Sequence, residues 1–206
     1  MTKNSFDLAI PSLVYRLKYG RGGEAIAKAI KLKNHQKLTK VIDATAGFGT
    51  DSFILANLNC QVYSIERNHK IFSVLQSKIL KAKEHDFLAK ISKNITLIHG
   101  DARLVIPEII KQYDFTPDVI YLDPMFPLKT KTAAANKQIQ LLKSIIQESI
   151  LIQDDKDLLK NCLNFAKHRV VVKRPRISSY LEDIKPSFSL IGKANRFDVY
   201  VKLITQ

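Results

Sequence analysis

From Lys40 onward, short β-branched runs alternate with longer segments of helical period. "KVID" (Lys40–Asp43) precedes "SFILANL", "CQVYSIE" (Cys60–Glu66) precedes "KIFSVLQSKILKAKEH", and "NITLIHGD" (Asn94–Asp101) precedes "ARLVIPEIIKQY". "PDVIYLD" (Pro117–Asp123) leads into a long helical stretch around "KQIQLLKSIIQESIL", and "DLLKNCLNFAK" comes before "RVVVK" (Arg169–Lys173). Apolar runs of strand length that alternate with helices predict a mostly parallel sheet covered on both faces, a doubly wound α/β domain.

The end of the chain breaks the alternation. "FSLIGK" and "RFDVYVKLI", separated by "AN", predict an antiparallel hairpin at the sheet edge, which makes seven strands in all. A Rossmann-like parallel sheet that finishes in an antiparallel hairpin is the arrangement of class I methyltransferases, whereas dinucleotide-binding domains usually continue with another helix and parallel strand. Ahead of Lys40, "YRLKYGRGGEAIAKAIKLK" turns at Gly20–Gly23 and continues as a helix from Glu24 with basic residues on one side. This predicts a basic, helical segment over residues 1–39 that packs on a catalytic domain of residues 40–206.

Composition changes the picture through charge. The chain of 206 residues is the size of one domain, and its formal net charge is +14. The first 40 residues hold nine Lys or Arg against two acids, so half of the excess sits in a fifth of the chain. Solubility does not require such clustering; a polyanionic partner explains it, with Arg21 in a phosphate-contacting arm beside the ligand cleft. Cys60 and Cys162 lie in apolar segments without a second cysteine or histidine at ligand spacing, which predicts buried free thiols and no metal. No apolar stretch is long enough to span a membrane, and the N-terminus lacks the pattern of a secretory signal, so a cytoplasmic protein is expected.

The candidate chemistry lies at the strand ends. "VIDATAGFGTDSFILA" sets an acid at the end of a buried strand, then Gly47 and Gly49 in a turn, then a helix whose start at Thr50 and Asp51 offers backbone N–H groups. The third glycine of a dinucleotide fingerprint is missing, since Ser52 stands there. Glu66 ends the second strand and is placed to accept from ribose hydroxyls, and Asp101 is placed to accept from an adenine amine or to cap the next helix, with small Ala102 leaving room for a flat ring. Asp43, Glu66, Asp101 and Asp123 thus mark four successive strand ends. Such a cleft suits S-adenosylmethionine (SAM), which carries a sulfonium and an ammonium and no phosphate.

"YLDPMFP" completes the site. Asp123 ends the fourth strand at the topological switch point, and Pro124 and Pro127 stiffen the loop that carries Phe126. An exocyclic base amine needs an acceptor for its hydrogens and a flat surface against the base; Asp123 and Phe126 supply these. The pattern resembles the (N/D)-P-P-(Y/F) motif of amino-directed nucleic-acid methyltransferases, with Met125 in place of the second proline.

In order and spacing, "GRGGEAIAKAI", "DATAGFGTDSFILA", "IERN", "YLDPMFP", "VVVKRP" and "RFDVY" resemble the bacterial ribosomal RNA small subunit methyltransferase J family, from about Tyr15 to Tyr200. The resemblance implies methyl transfer from S-adenosylmethionine to N2 of a guanosine near the 3′ end of 16S rRNA in the small ribosomal subunit. It implies cofactor contacts at Thr50, Asp51, Glu66, Arg67, Asp101, Ala102 and Asp123. Lys129, Lys131 and Lys137, with Lys173, Arg174 and Arg176, are then expected to flank the cleft and meet RNA phosphates. Competing readings are an amino-methyltransferase of another RNA or DNA base, a nicotinamide-dependent oxidoreductase, and a non-catalytic RNA-binding assembly factor.

Overall fold

The computed structural model describes residues 9–20, 22–31, 38–124 and 156–202. Seven strands, β1 (Thr39–Asp43), β2 (Cys60–Glu66), β3 (Ile95–His99), β4 (Val119–Leu122), β5 (Arg169–Pro175), β6 (Phe188–Ile191) and β7 (Asn195–Val201), form one sheet in the order β3-β2-β1-β4-β5-β7-β6. The first five run parallel, and β7 is antiparallel to both β5 and β6. The expected doubly wound, mostly parallel sheet with a C-terminal hairpin is therefore present. Its order reverses between β1 and β4, which opens a crevice at their carboxyl ends.

Consecutive strand residues point to opposite faces, and both faces are apolar, as a parallel sheet covered twice requires. Val41, Val62, Tyr121 and Val171 pack with α1 (Ala9–Tyr19), α2 (Gly22–Ile30), α3 (Thr50–Asn57), α4 (His69–Lys83) and α5 (Asp86–Ser92). Ile42, Ile65, Ile120 and Val172 pack on the other face with α6 (Ala102–Tyr113) and α7 (Leu158–Phe165). Leu13 of α1 and Ile26, Ala29 and Ile30 of α2 join the first cluster, and the buried Arg169 side chain donates to the Ala29 carbonyl at 3.1 Å. The N-terminal helices thus share a core with the sheet.

Three local features depart from the sequence pattern. Helix α1 lies within the segment expected to be helical but forms a separate helix ahead of the Gly20–Gly23 turn, and α2 begins at Gly22 rather than Glu24. The helical run after β2 stops at Lys83, and a separate helix, α5, starts after His85, whose ring nitrogen accepts from the Phe87 amide. The stretch around Lys137–Leu151 lies outside the described residues. Cys60 and Cys162 are buried free thiols; burial pushes Cys60 up to about 12 and Cys162 higher still, far from reactive thiolates.

At the hairpin, fully buried Asp198 accepts from Arg196 Nε at 2.9 Å and from Ser189 Oγ at 2.6 Å. Arg196 is itself 7% exposed. Removing one partner of a buried pair strands the other charge, so Asp198→Ala is expected to lower stability by about 3–5 kcal/mol, read from the midpoint of urea unfolding.

Candidate active site

The loop between β1 and α3 forms the cleft floor, and its shape comes from hydrogen bonds that the sequence leaves implicit. The Ala44 amide donates to the Tyr121 carbonyl and the Ala46 amide to the Ile65 carbonyl, both at 2.9 Å, so the loop leaves β1 still tied to β4 and β2. Gly47 (φ 54°) and Gly49 (φ 76°) then take left-handed backbone that disfavours other residues, and a Cβ on Gly49 would collide with Leu75. Gly49 precedes α3 with no side-chain cap, which leaves the amide end of that helix to the loop. From below, the Lys78 ammonium donates to the Phe48 carbonyl at 2.9 Å; it is 7% exposed, and burial lowers its pKa to about 8.

Each strand-end acid is held differently. Asp43, 1% exposed, accepts from Ser52 Oγ at 2.5 Å and from the Thr45 amide at 3.3 Å. Burial raises it to about 7, against the Ser52 hydrogen bond, with Asp51 adding to the rise. Asp43 thus organises the loop from inside while lining the cleft. Glu66 accepts the Gly47 amide at 2.8 Å and the Asn68 amide at 2.7 Å, one on each oxygen, and burial pushes its pKa upward. Each of its oxygens keeps a second acceptor site toward the cleft.

Asp101 resolves to the helix-capping alternative. It accepts the Arg103 amide at 2.9 Å as the cap of α6, and its carboxylate is gripped by Arg103 Nε and Nη2 at 3.0 and 2.6 Å. Those hydrogen bonds from Arg103 hold its pKa below the usual carboxylate range. Arg103 also donates through Nη1 to the Lys156 carbonyl at 3.0 Å, which ties the start of α6 to the segment before α7.

At the switch point three elements converge on one ammonium. Lys173 of β5 donates to Asp51 Oδ2 in the first turn of α3 at 2.8 Å and to Asp123 Oδ2 after β4 at 2.7 Å. Tyr121, fully buried, donates its hydroxyl to the same Asp51 oxygen at 2.7 Å. The Asp123 amide in turn donates to Thr45 Oγ1 at 2.6 Å, which ties the start of the proline loop to the glycine loop. Burial works against the charge on Lys173, but Asp51 and Asp123 outweigh it and hold its pKa above the ordinary lysine value. Burial also pushes Asp123 upward; Lys173 opposes that shift, and Asp51 adds to it. The Asp123 side chain keeps 39% exposure toward the cleft.

Asp43, Thr45, Gly47, Phe48, Asp51, Glu66, Asp101, Arg103, Asp123 and Lys173 line a cavity of about 770 Å³, which also takes in Thr50, Arg67, Ala102 and Pro124. That volume is in the range of small-molecule sites.

Residues 5–202 match the family model "Putative SAM-dependent methyltransferase". The chain is 42% identical over 197 residues to ribosomal RNA small subunit methyltransferase J of Colwellia psychrerythraea, covering 95% of this chain and 69% of that protein. It is 40% identical to the protein of the same name from Tolumonas auensis, over 95% of this chain and 76% of that one. A crystal structure of a SAM-dependent methyltransferase from Neisseria gonorrhoeae superposes with a TM-score of 0.69 at 32% identity, covering 90% of this chain and 73% of that one. The chain belongs to the ribosomal RNA small subunit methyltransferase J family.

For a member of the methyltransferase J family, the cleft fits the methyl donor on its own chemistry. Five carboxyl groups against four basic side chains suit a ligand bearing a sulfonium and an ammonium, and the helix end at Gly49 suits that ligand's carboxylate. Buried Ala102 and the left-handed glycines leave room for a flat nucleoside.

The sites expected to meet RNA divide. Arg176 is exposed just beyond β5. Lys173 turns into the cleft rather than out to phosphates, because the two carboxylates capture it. Arg174 is likewise no phosphate contact: it is 5% exposed, and its Nε and Nη2 donate to the Ser179 carbonyl at 3.2 and 3.0 Å. Arg21, Phe126, Lys129, Lys131 and Lys137 lie outside the described residues, as do Met125 and Pro127. Sequence reasoning missed Thr45, Lys78, Arg103 and Tyr121. For Thr45 the signal was the "DATAG" run itself, where a hydroxyl sits two residues beyond the strand-end acid.

Asp43 gives a pH test. A carboxyl at 3.8 in the unfolded chain and about 7 when folded keeps its proton longer in the native state, so its contribution is full below about 4 and is lost as pH rises toward 7. Asp43→Asn should remove that dependence, on the order of 4 kcal/mol across the interval, seen as a flatter plot of urea midpoint against pH between 4 and 8 than the unaltered protein gives.

Proposed function

We propose that this chain transfers a methyl group from S-adenosylmethionine to the exocyclic N2 of a guanosine in 16S rRNA of the small ribosomal subunit. The observation that carries the reading is Asp123: a carboxylate at the switch point of a methyltransferase sheet, tied to the cofactor loop through Thr45 and aimed by Lys173. The names of the curated relatives support rRNA of the small subunit as the substrate.

S-adenosylmethionine supplies an electrophilic sulfonium methyl and leaves as a neutral thioether. Asp123 accepts a hydrogen bond from the N2–H, which turns the nitrogen lone pair toward that methyl. As the N–C bond forms and the S–C bond breaks, the nitrogen gains positive charge and sheds its proton to Asp123, whose raised pKa suits a proton acceptor. Lys173 keeps the carboxylate ionised until then and fixes its orientation through Asp51 and Tyr121. Glu66 binds the ribose, Asp51 and the loop amides hold the amino-acid end, and Phe126 stacks on the base. Thr50, Arg67, Asp101 and Ala102 shape the remaining walls.

Basic and aromatic surface at the rim of the cleft and beyond it supports an RNA substrate. On α1, Tyr15 and Tyr19 are 68% and 71% exposed with ring centroids 5.3 Å apart, and exposed Arg16 and Lys18 lie between them in sequence. Such a surface offers stacking together with charge. Arg176 adds exposed positive charge beyond β5; in this reading Arg21, Lys129, Lys131 and Lys137 and the basic segment 1–39 also meet RNA phosphates.

The direct test is transfer of labelled methyl to small subunits or 16S rRNA from cells lacking this gene, followed by nucleoside analysis. N2-methylguanosine is the expected product; methylated adenosine or cytidine would redirect the base assignment. Asp123→Ala and Phe126→Ala are each expected to lower kcat/KM by about 100-fold or more while unfolding like the unaltered protein, and full activity in both would remove their roles. In Lys173→Met the Asp51 and Asp123 charges face each other unscreened, so the acid limb of the kcat/KM profile should move to higher pH.

A further inference from the structure

Past Lys173, β5 runs into a short loop, Pro175–Tyr180, that is tied down at nearly every carbonyl. Arg174 takes the Ser179 carbonyl. Arg196, also buried, donates through Nη1 to the carbonyls of Arg176 and Ser178 at 2.9 and 2.7 Å and through Nη2 to that of Ser179 at 3.3 Å. The Arg176 amide donates to the Ala194 carbonyl in the turn between β6 and β7, and Ser178 closes onto the Pro175 carbonyl through both amide and hydroxyl. The Tyr180 ring packs against Arg196, 5.0 Å from guanidinium to centroid.

In the middle of this immobilised loop Ile177 is 96% exposed. Lone apolar side chains on a surface are ordinary. What sets this one apart is that two buried guanidiniums prevent the loop from relaxing to cover it, although water disfavours its display.

Its place narrows the occupant. Pro175 pairs with Asn195, so the loop and the facing turn with exposed Lys193 lie at the carboxyl end of β5, the sheet edge where the cleft opens. Ile177 follows Lys173, whose ammonium touches Asp123, by four residues, a reach of at most about 14 Å. Arg176 next to it is exposed, so the apolar tip sits in a cationic setting that suits stacked bases and their phosphates better than a protein's apolar patch.

Resting on the rRNA reading above, we propose that Ile177 is a wedge that enters a base step beside the target guanosine, opening the stack so that the base can reach Asp123. Aliphatic side chains inserted between bases unstack and kink helical nucleic acid, and enzymes that act on a base must bring it out of the stack. Arg176 holds the adjoining phosphate while Ile177 enters.

The test compares methyl transfer to small subunits and to folded 16S rRNA, both from cells lacking this gene, with transfer to short, heat-denatured fragments of the same rRNA. For Ile177→Ala the ratio of kcat/KM on folded RNA to kcat/KM on fragments should fall about tenfold or more, and Ile177→Leu should restore it. An unchanged ratio for Ile177→Ala overturns the wedge and leaves the rRNA reading standing. So does a defect seen only on assembled subunits, which would assign Ile177 to a ribosomal protein. No transfer by the unaltered protein to any of these RNAs overturns the rRNA reading and the wedge with it.

Discussion

Four parallel strands and the helix after the first of them deliver carboxyl groups to one cleft, and their mutual repulsion is the constraint the site is built around. Each is answered separately. Asp43 is buried and keeps its proton up to about 7; Glu66 is met by two backbone amides; Asp101 is paired with Arg103; Asp51 and Asp123 share the ammonium of Lys173. Without these pairings the loops that carry the acids would splay apart, and the cleft with them.

The same pairings give the site its rigidity. Thr45 joins the glycine loop to Asp123, Lys78 supports that loop from below, and Tyr121 fixes Asp51 from the core. A direct displacement at a methyl group asks little of bond-making side chains and much of alignment, so a preorganised cleft is what the chemistry requires. Of the two carboxylates that Lys173 holds, Asp123 is the more exposed to the cleft.

Beyond the cleft, buried charge does a second structural job. Arg174 and Arg196 enter the interior and gather the carbonyls of the loop after β5, while Asp198 neutralises Arg196. Exposed positive charge remains on α1, at Arg176 and at Lys193. Inward arginines thus shape the rim, while outward ones keep their charge in solvent.

The succession of strands and helices along the chain, the glycine turn and the acids at four strand ends were legible in the sequence because each depends on local pattern: strand length, apolar periodicity and the residues that end a strand. The start of α2 at Gly22 and the break between α4 and α5 were not, since nothing in the apolar pattern marks the cap at His85. Which acid is free and which is occupied was decided only by the tertiary fold. Lys173 and Arg174 look alike in sequence, but adjacent strand residues face opposite ways; one finds Asp51 and Asp123 in the cleft, and the other finds the Ser179 carbonyl in the loop after β5. Partners 122 and 50 residues away in the chain, such as those of Lys173, carry no local signature.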